Sequence, residues 1–306
     1  MALLESPPTT ATKPGKPAKQ RKQADPEDAL TGTPGTRFSR HLILCLVGLV
    51  MLYPLLWLVS SSFKPSNDIF RQLGLWPENW DFSNYAEGWT ALNQPFHVYL
   101  INSMIVVVFS IIGNIFSCAL AAYAFARMEF TGRKLFFALM LGTMMLPGHV
   151  LLIPQYIVFA KLGWLNTYYP LLVPNFLATN AFYIFLMVQF MRALPAELDE
   201  AARIDGCGPF RTFWSVIMPL CLPAFATTAI FAFISVWNEF FGPLIYLTDS
   251  ELYTVPLALR QFIDSEGQSQ WGQMFAMSFL SLAPVIGFFI AGQKYLIRGI
   301  ATTGLK

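Results

Sequence analysis

Residues 200–206 read Glu-Ala-Ala-Arg-Ile-Asp-Gly, a short charged stretch that lies between two long apolar runs. Pro195 precedes it, further acidic residues lie just before it, and Gly206 ends it. Acidic residues early and a glycine late are typical of a helix, because they complement the helix dipole and allow a left-handed cap. We therefore predict a short surface helix over about residues 196–205. We interpret it as a docking element for another protein; an amphipathic connector lying on a membrane is the alternative.

The composition around this stretch is typical of a membrane protein. Of the 306 residues, 55% are hydrophobic and 12% are charged, and the mean hydropathy is +0.50. Apolar runs long enough to span about 30 Å of hydrocarbon recur along the chain. We therefore predict an all-α polytopic membrane protein with six transmembrane helices. They are expected at about 41–61, 99–123, 135–157, 171–191, 215–247 and 272–293.

Lysine and arginine are distributed unevenly between the two sides that these spans define. With the N-terminus inside, 16 of the 20 basic residues lie on the inner side, as the positive-inside rule requires. Both termini are therefore predicted to be cytoplasmic, in a multi-pass protein of a cytoplasmic membrane. The loop 62–98 is predicted to lie outside, and the loop 192–213 and the C-terminal tail 294–306 inside. The net charge of +2 reflects this topology, and we expect no nucleic-acid partner.

The N-terminal residues differ in composition from the rest of the chain. Residues 1–37 are rich in Pro, Thr, Lys and Ala and contain no apolar run that could span a membrane. Such a segment cannot bury enough apolar surface to fold, so we predict a disordered cytoplasmic tail. Residues 38–306 are predicted to form the transmembrane domain.

Prolines interrupt two of the six spans. Proline removes a backbone donor, and in lipid the carbonyl that it frees must find another partner, so such breaks usually face protein or a water-filled cavity. We predict breaks in the third span at Pro147 and Pro154, and a pathway lining over 147–156. His149 lies in this stretch, and a packing role near the outer interface is its alternative. The run 215–247 is predicted to divide at its prolines into an entry turn, a spanning part and an outer end.

Polar residues within the spans are the other candidates for a solute pathway. Small and polar residues such as Gly113 let helices approach closely and hydrogen-bond to each other. Glu239 is the only acidic residue that we place in a span, where an ionisable group is costly; the alternative places it near the outer headgroups. No basic residue falls within the spans, which favours a neutral solute. The candidate lining residues, each of which could equally serve helix packing, are Asn114, Gln155, Tyr156, Asn180, Tyr183, Asn238 and Glu239.

The sequence lacks the motifs of ATP hydrolysis, metal binding and nucleophilic catalysis. Gly132-Arg133-Lys134 has neither the upstream glycine nor the following Ser or Thr of a phosphate-binding loop. The histidines and cysteines show no metal-ligand spacing. We therefore expect a protein that is not an enzyme and that binds no cofactor or metal. Proton-driven carriers usually need several intramembrane acids or histidines, so energy for uphill transport is expected to come from another subunit.

These motifs together resemble those of bacterial ABC importer permeases. Their cytoplasmic loop reads Glu-Ala-Ala, three residues, Gly, nine residues, Ile, one residue and Leu-Pro; here Val216 and Met218 replace the Ile and the Leu. Further motifs are similar to the second permease subunit of maltose-type carbohydrate importers, over about residues 40–306. They are Leu146-Pro147, Ile153-Pro154, Leu162-Gly163, Pro195-x-Glu197-Leu198, Trp237-Asn238-Glu239 and Gln293-Lys294-Tyr295.

The resemblance implies the six-helix fold of type I ABC importer permeases and a function in sugar import. Two homologous permeases would enclose one translocation path in a bacterial or archaeal membrane. Two separate ATPase subunits would bind ATP and Mg, and an extracytoplasmic sugar-binding protein would deliver the substrate. Di- or oligosaccharides are the favoured substrates. The alternatives are a polyol or a glycerol-phosphate compound imported by the same machinery, or a stand-alone secondary carrier.

The resemblance also implies which residues meet the ATPase subunits. The short helix would fit a cleft on one ATPase, with the glutamate as charged contact, the alanines allowing close approach and the glycine forming the turn. The arginine and the aspartate would hydrogen-bond locally or to the partner. The C-terminal residues Gly304 and Lys306 are expected to reach the ATPase interface. The coupling residues are thus Glu200, Ala201, Ala202, Arg203, Asp205 and Gly206.

Overall fold

The computed structural model describes residues 34–263 and 269–303, and over these residues the chain contains helices and no strand. By its internal contacts the chain divides into two units, residues 1–54 and 55–306. The first described helix, α1, begins at Pro34 and crosses this boundary. The predicted tail lies largely outside the described residues, as do Gly304 and Lys306, so these assignments stay predictions.

The described residues form fourteen α-helices, several of them a single turn long. Short 3₁₀ turns join some of them, and a π-helical segment follows α9. In chain order the helices α1 to α14 are Pro34–Ser61, Ser83–Thr90, Phe96–Arg127, Arg133–Thr143, Leu152–Lys161, Tyr169–Leu172, Ala181–Ala193, Glu197–Ile204, Pro209–Thr212, Met218–Leu220, Leu222–Trp237, Phe241–Tyr246, Val255–Arg260 and Trp271–Thr303.

Four described segments are long and apolar enough to cross a membrane. They are Phe38–Ser61, Phe96–Arg127, Tyr169–Ala193 and Trp271–Gln293. A fifth span is possible if Pro209–Leu220 and Leu222–Trp237, which meet at an angle of 74°, are taken as one broken span. The chain is therefore a multi-pass helical membrane protein, and the sixth span stays a prediction.

The predicted third span, 135–157, is not one continuous helix. Helix α4 ends at Thr143, a 3₁₀ turn covers Gly148–Leu151, and α5 begins at Leu152. The predicted break at Pro147 is therefore confirmed. The predicted break at Pro154 is wrong, because Pro154 lies in the first turn of α5, where a helix needs no N–H donor. His149 lies in the 3₁₀ turn, and its side chain is outside the described part of the structure.

The fifth apolar run divides as its prolines predicted. A bend at Cys221, between Pro219 and Pro223, separates α10 from α11. Helix α11 then ends at Trp237, and a second break precedes α12. The run therefore consists of an entry segment, a spanning helix and an outer segment.

Helix α3 is the centre of the bundle. It packs against α7, α11 and the 3₁₀ turn Val173–Leu177, and α11 in turn packs against α14. Gly113 permits the close approach to that turn, since a Cβ atom there would lie 2.8 Å from the Phe176 ring and 3.1 Å from the Asn175 carbonyl carbon. The predicted role of small residues in helix packing is therefore confirmed at this position.

Hydrogen bonds between loops show which connections share an end of the bundle. At one end, Asn102 Nδ2 donates to the carbonyls of Glu251 (2.7 Å) and Tyr253 (3.0 Å). Asn166 Oδ1 accepts from the backbone N–H of Asp249 at this same end (2.9 Å). The start of α3 and the loops after α5 and α12 therefore lie together, as the predicted topology requires. The orientation of this end relative to the cell stays a prediction.

The predicted outer loop, 62–98, is folded against the start of α14. Lys64 is fully buried and donates from Nζ to the carbonyls of Gln72 (2.7 Å) and Gly74 (2.6 Å). Burial lowers the pKa of this ammonium group. Asn84 Nδ2 donates to the carbonyls of Ser62 (3.1 Å) and Lys64 (2.9 Å). Its amide lies directly against Gly272 of α14, where there is no room for a Cβ atom.

We expect Gly272→Val to destabilise this loop. The added side chain displaces the Asn84 amide from two buried carbonyls, which should cost about 1–3 kcal/mol in the free energy of unfolding. The matched control is Gly74→Val, because a Cβ atom at Gly74 meets nothing within 4 Å. Melting temperatures of the purified full chain in detergent measure the difference. Equal melting temperatures for the two variants would contradict this account of the loop.

Candidate functional site

Helix α8, Glu197–Ile204, carries the motif from which the sequence analysis began. Gly206 has φ 77°, its N–H donates to the Arg203 carbonyl (3.1 Å), and the Cys207 N–H donates to the Ala202 carbonyl (2.9 Å). These two bonds form the Schellman motif, which satisfies carbonyls that the helix end leaves free. The helix and its left-handed glycine cap are therefore observed where they were predicted.

The two alanines of the motif face different environments. Ala202 is buried against its own chain, whereas Ala201 is exposed. Ala202 therefore packs α8 onto this protein, and the expectation that both alanines meet a partner is corrected, because successive helical residues point about 100° apart. Glu200, Arg203 and Asp205 are exposed, as a docking role requires.

The sequence analysis missed two apolar side chains beside the motif. Ile204 at the end of α8 is 86% exposed, and Phe210 in α9 is 71% exposed. Both lie in the segment 192–213, which is predicted to be cytoplasmic. Large apolar residues exposed beside a charged helix are typical of a protein-binding surface.

Arg127, the last residue of α3, hydrogen-bonds to α8 and to the end of α7. Its Nη1 donates to Asp199 Oδ2 of α8 at 2.7 Å. Its Nη2 donates to the carbonyls of Met191 (2.6 Å) and Leu194 (2.8 Å) at the end of α7. The Arg127 side chain is 9% exposed and that of Asp199 is 21% exposed. The Arg127 guanidinium group therefore connects α8 to α3 and α7. We call these three hydrogen bonds the Arg127 fork.

This connection was not found from the sequence, although a signal exists. Arg127 ends a long apolar run, where a basic residue also complements the helix dipole, and Asp199 precedes the Glu-Ala-Ala motif. The position of each residue is explained by its own helix end, so neither residue points to a partner. The two lie 72 positions apart, and no sequence pattern links them.

At the other half of the bundle, a cavity of about 380 Å³ lies between α3, α5, α7, α11 and α12. Five of the seven predicted path residues line it: Asn114, Gln155, Asn180, Tyr183 and Glu239. Among the described lining side chains, Glu239 is the one carboxylate and none belongs to Lys or Arg. The His149 side chain, in the 3₁₀ turn that borders the cavity, is outside the described part of the structure. The lining therefore combines amide, hydroxyl and apolar groups, and Glu239 carries the one formal charge among its described side chains.

Asn238 and Tyr156 are not part of the cavity lining. Asn238 Nδ2 donates to the Ile234 carbonyl of its own helix (2.7 Å), so its amide serves the end of α11. Tyr156 is 38% exposed elsewhere on α5. Two of the lining residues also have local roles: Asn180 caps α7 by accepting from the Tyr183 N–H (3.3 Å), and Glu239 Oε1 accepts from the Gly242 N–H (3.0 Å).

Asn175 organises one wall of the cavity and was missed by the sequence analysis. Its Oδ1 accepts from Asn114 Nδ2 (3.0 Å), and its Nδ2 donates to Ser110 Oγ (3.0 Å) and the Leu171 carbonyl (2.8 Å). Ser117 Oγ donates to the Asn175 carbonyl at 2.8 Å. Asn114 therefore acts both as interhelical hydrogen-bond partner and as cavity lining.

Two hydroxyl groups of the lining have no hydrogen-bond partner in the described part of the chain. Tyr246 is 3% exposed and Thr254 is 4% exposed, and the hydroxyl oxygen of each is buried. A buried polar group without a partner is costly, so such groups call for an explanation. Both were missed from the sequence because they lie outside the predicted spans or at their ends. Both oxygens are closed off from the cavity space in this conformation, so a ligand would meet them only after the lining rearranges.

The sequence and the fold of this chain are similar to those of known membrane transport proteins. The family model for binding-protein-dependent transport system inner membrane components matches residues 113–302. The probable ABC transporter permease protein YurM of Bacillus subtilis is 37% identical over 88% of each chain. The diacetylchitobiose uptake system permease protein NgcG of Streptomyces coelicolor is 32% identical over 85% of this chain and 86% of its own.

One further relative and one solved structure are also similar to this chain. The trehalose/maltose transport system permease protein MalG of Thermococcus litoralis is 33% identical over 85% of this chain and 94% of its own. A chain from the crystal structure of a bacterial ABC transporter involved in import of the acidic polysaccharide alginate superposes with a TM-score of 0.74 and 25% identity. That match covers 87% of this chain and 99% of the other. The chain therefore belongs to the family of binding-protein-dependent transport system inner membrane components, and it is an ABC transporter permease subunit, not an enzyme.

Proposed function

We propose that this chain is one half of the translocation path of an ATP-driven importer for a neutral di- or oligosaccharide. A homologous second permease supplies the other half, and an extracytoplasmic binding protein delivers the sugar. Two separate ATPase subunits bind ATP and Mg and hydrolyse the ATP, while this chain binds no cofactor. The N-terminus and α8 lie in the cytoplasm of a bacterial or archaeal cell. The names of the relatives support carbohydrate as the substrate class.

The observation that carries the substrate class is a cavity whose lining includes several amide groups and two unpartnered hydroxyl groups. Sugars bring several hydroxyl groups, each of which donates and accepts hydrogen bonds. The Tyr246 and Thr254 hydroxyls would meet such partners once the lining rearranges around a sugar, and the lining also contains the amide groups of Gln155 and Asn180. Tyr183 adds an aromatic side chain to the lining, and sugar rings pack well on aromatic faces.

The charge of the lining argues against two of the alternatives, an anionic solute and a carrier that works alone. A glycerol-phosphate compound or an acidic sugar needs cations to offset its charge, and the described lining side chains include Glu239 and no Lys or Arg. A secondary carrier that works alone usually has several intramembrane acids or histidines, and this lining has one carboxylate. ATP-driven import of a neutral polyhydroxyl compound fits both facts.

The proposed coupling surface is the exposed side of α8. Glu200, Arg203 and Asp205 supply charges for docking on an ATPase subunit, and Ala201 leaves space for close approach. The Schellman motif at Gly206 makes the end of α8 rigid, because its orphan carbonyls are satisfied. A rigid helix can transmit displacement in both directions.

The Arg127 fork is the proposed route from this surface to the cavity. A displacement of α8 moves Asp199, and the fork joins Asp199 to the ends of α3 and α7. Asn114 on α3 and Tyr183 on α7 line the cavity, so both helices connect the two sites. Rigid-body rocking of these helices would convert closure of the ATPase pair into opening of the cavity towards one side.

We expect Glu200→Lys and Gly206→Val to abolish coupling while leaving membrane insertion intact. The first reverses the docking charge, and the second introduces a β-branched residue at φ 77°, which disrupts the cap. Sugar uptake and sugar-stimulated ATP hydrolysis by the reconstituted complex are the measurements. Gly208→Val is the matched control, because Gly208 has an extended backbone and open space around it. Normal uptake by both coupling variants would refute the docking role of α8.

We expect Arg127→Met to destabilise the protein more than Asp199→Asn does. Loss of the arginine leaves Asp199 and two carbonyls without their donor, with a cost on the order of 3 kcal/mol. The asparagine still accepts a hydrogen bond from Arg127, so about 1 kcal/mol is expected. Thermal unfolding of the purified variants and protease digestion of the 192–213 loop measure the order. A larger loss for Asp199→Asn would contradict the arginine fork.

We expect Tyr246→Phe to weaken sugar transport without lowering the melting temperature. The Tyr246 hydroxyl has no protein partner in the described structure, so its removal costs the fold no hydrogen bond. Loss of one hydrogen bond to the sugar should raise the KM for transport by up to about tenfold. Tyr156→Phe is the matched control, because Tyr156 does not line the cavity. Uptake by reconstituted vesicles, tested with trehalose, maltose and diacetylchitobiose, measures the effect. An equal change in both variants would exclude the cavity as the sugar site.

A further inference from the structure

A second open groove, of about 840 Å³, lies where the chain turns from α3 into α4 and meets the end of α7. Its lining includes Arg133, Lys134 and Arg192 together with the aromatic residues Phe130 and Phe137. Nothing in the proposed transport cycle uses these residues. We propose that this groove binds the phosphate headgroup of an anionic phospholipid.

The charge of the groove is the first argument. Among the described residues, none of its three cations has a carboxylate within salt-bridge distance, whereas the neighbouring Arg127 is paired with Asp199. Glu129 in the lining and the carbonyl end of α3, which carries about half a negative charge, offset part of the three positive charges. A net positive charge of about 1.5 is left for a ligand.

The two arginines are held in place by groups that do not neutralise them. The Arg133 guanidinium donates to the carbonyls of Met128 (3.1 Å) and Ala126 (3.4 Å). The Arg192 guanidinium lies 4.9 Å from the centre of the Phe137 ring and donates to the Phe125 carbonyl (3.4 Å). These contacts orient the guanidinium groups and leave their charge to be offset by an anion, which arginine binds through planar pairs of N–H donors.

The start of α4 adds backbone donors to the same groove. Gly132 has φ 85° and precedes this eleven-residue helix, whose N-cap makes no side-chain hydrogen bond. The first N–H groups of a helix point away from its body and favour a phosphate oxygen. Three side-chain cations and a helix N-terminus therefore converge on one groove.

The surroundings favour a lipid over a soluble phosphate. The groove lies at the end of the membrane-spanning helix α3, which is the level of the lipid headgroups. Helix α4 has no buried residue, and its Leu135, Phe136 and Leu139 are 62%, 55% and 58% exposed. A molecule that carries a phosphate on acyl chains matches both the cations and these apolar side chains. The Arg127–Asp199 bond puts the groove at the same end of the bundle as α8, which is the proposed cytoplasmic leaflet.

The test compares lipid binding by the purified full-length chain and by Lys134→Gln/Arg192→Gln. Fluorescent phosphatidylglycerol is titrated into the protein in detergent micelles, with phosphatidylcholine as the neutral lipid. Each basic residue near a headgroup contributes to anionic lipid binding, so we expect the double variant to bind phosphatidylglycerol about 30-fold more weakly. The matched control is Lys161→Gln/Arg211→Gln, which removes two exposed charges outside the groove and should change nothing.

The other outcomes would overturn the proposal, identify a different ligand or require the single variant. Unchanged phosphatidylglycerol affinity in the double variant overturns the proposal. Displacement of phosphatidylglycerol by millimolar inorganic phosphate identifies a soluble phosphate as the ligand, and it overturns the lipid assignment. If the double variant keeps the lipid and loses copurification with the ATPase subunits, the groove is a protein-binding surface. If the double variant does not fold, Lys134→Gln alone should weaken binding about fivefold, because Lys134 makes no hydrogen bond in the described structure.

Discussion

The coordination of the Arg127 guanidinium is the interaction on which the proposed mechanism depends. One buried side chain satisfies two carbonyls at the end of α7 and a carboxylate on α8. Arginine suits this position, because its planar guanidinium group binds several acceptors at once. A short surface helix has little stability of its own, so this anchor and the burial of Ala202 hold α8 in one orientation.

The opposite half of the bundle is organised by helix breaks. The turn at Pro147 and the break after Trp237 place non-helical backbone within two of the predicted spans, which is tolerated in a membrane where that backbone is buried in protein or lines a cavity. The cavity lies at these breaks. Helices α3 and α7 extend from it to the Arg127 fork, so the proposed sugar site and the proposed docking site share the same rigid elements.

Much of the site could be predicted where the signal is local. The helix Glu197–Ile204 and the left-handed Gly206 follow from residues adjacent in sequence. Five of seven proposed path residues line one cavity, because polar residues in apolar spans usually face the interior. Asn175, Tyr246 and Thr254 were missed, since their importance depends on which helices they face. Ala202 was assigned to the wrong surface for the same reason.

The sequence by itself determined that the chain is a multi-pass helical membrane protein, where its helices break near Pro147 and Cys221, and that a capped helix lies between two spans. Hydropathy, proline geometry and glycine conformation act over a few residues, so they can be read locally. Only the tertiary structure decided that Pro154 continues a helix, that Arg127 binds Asp199, and which polar residues converge on the cavity. Those outcomes depend on contacts between residues far apart in the chain, and such contacts are selected by the packing of whole helices.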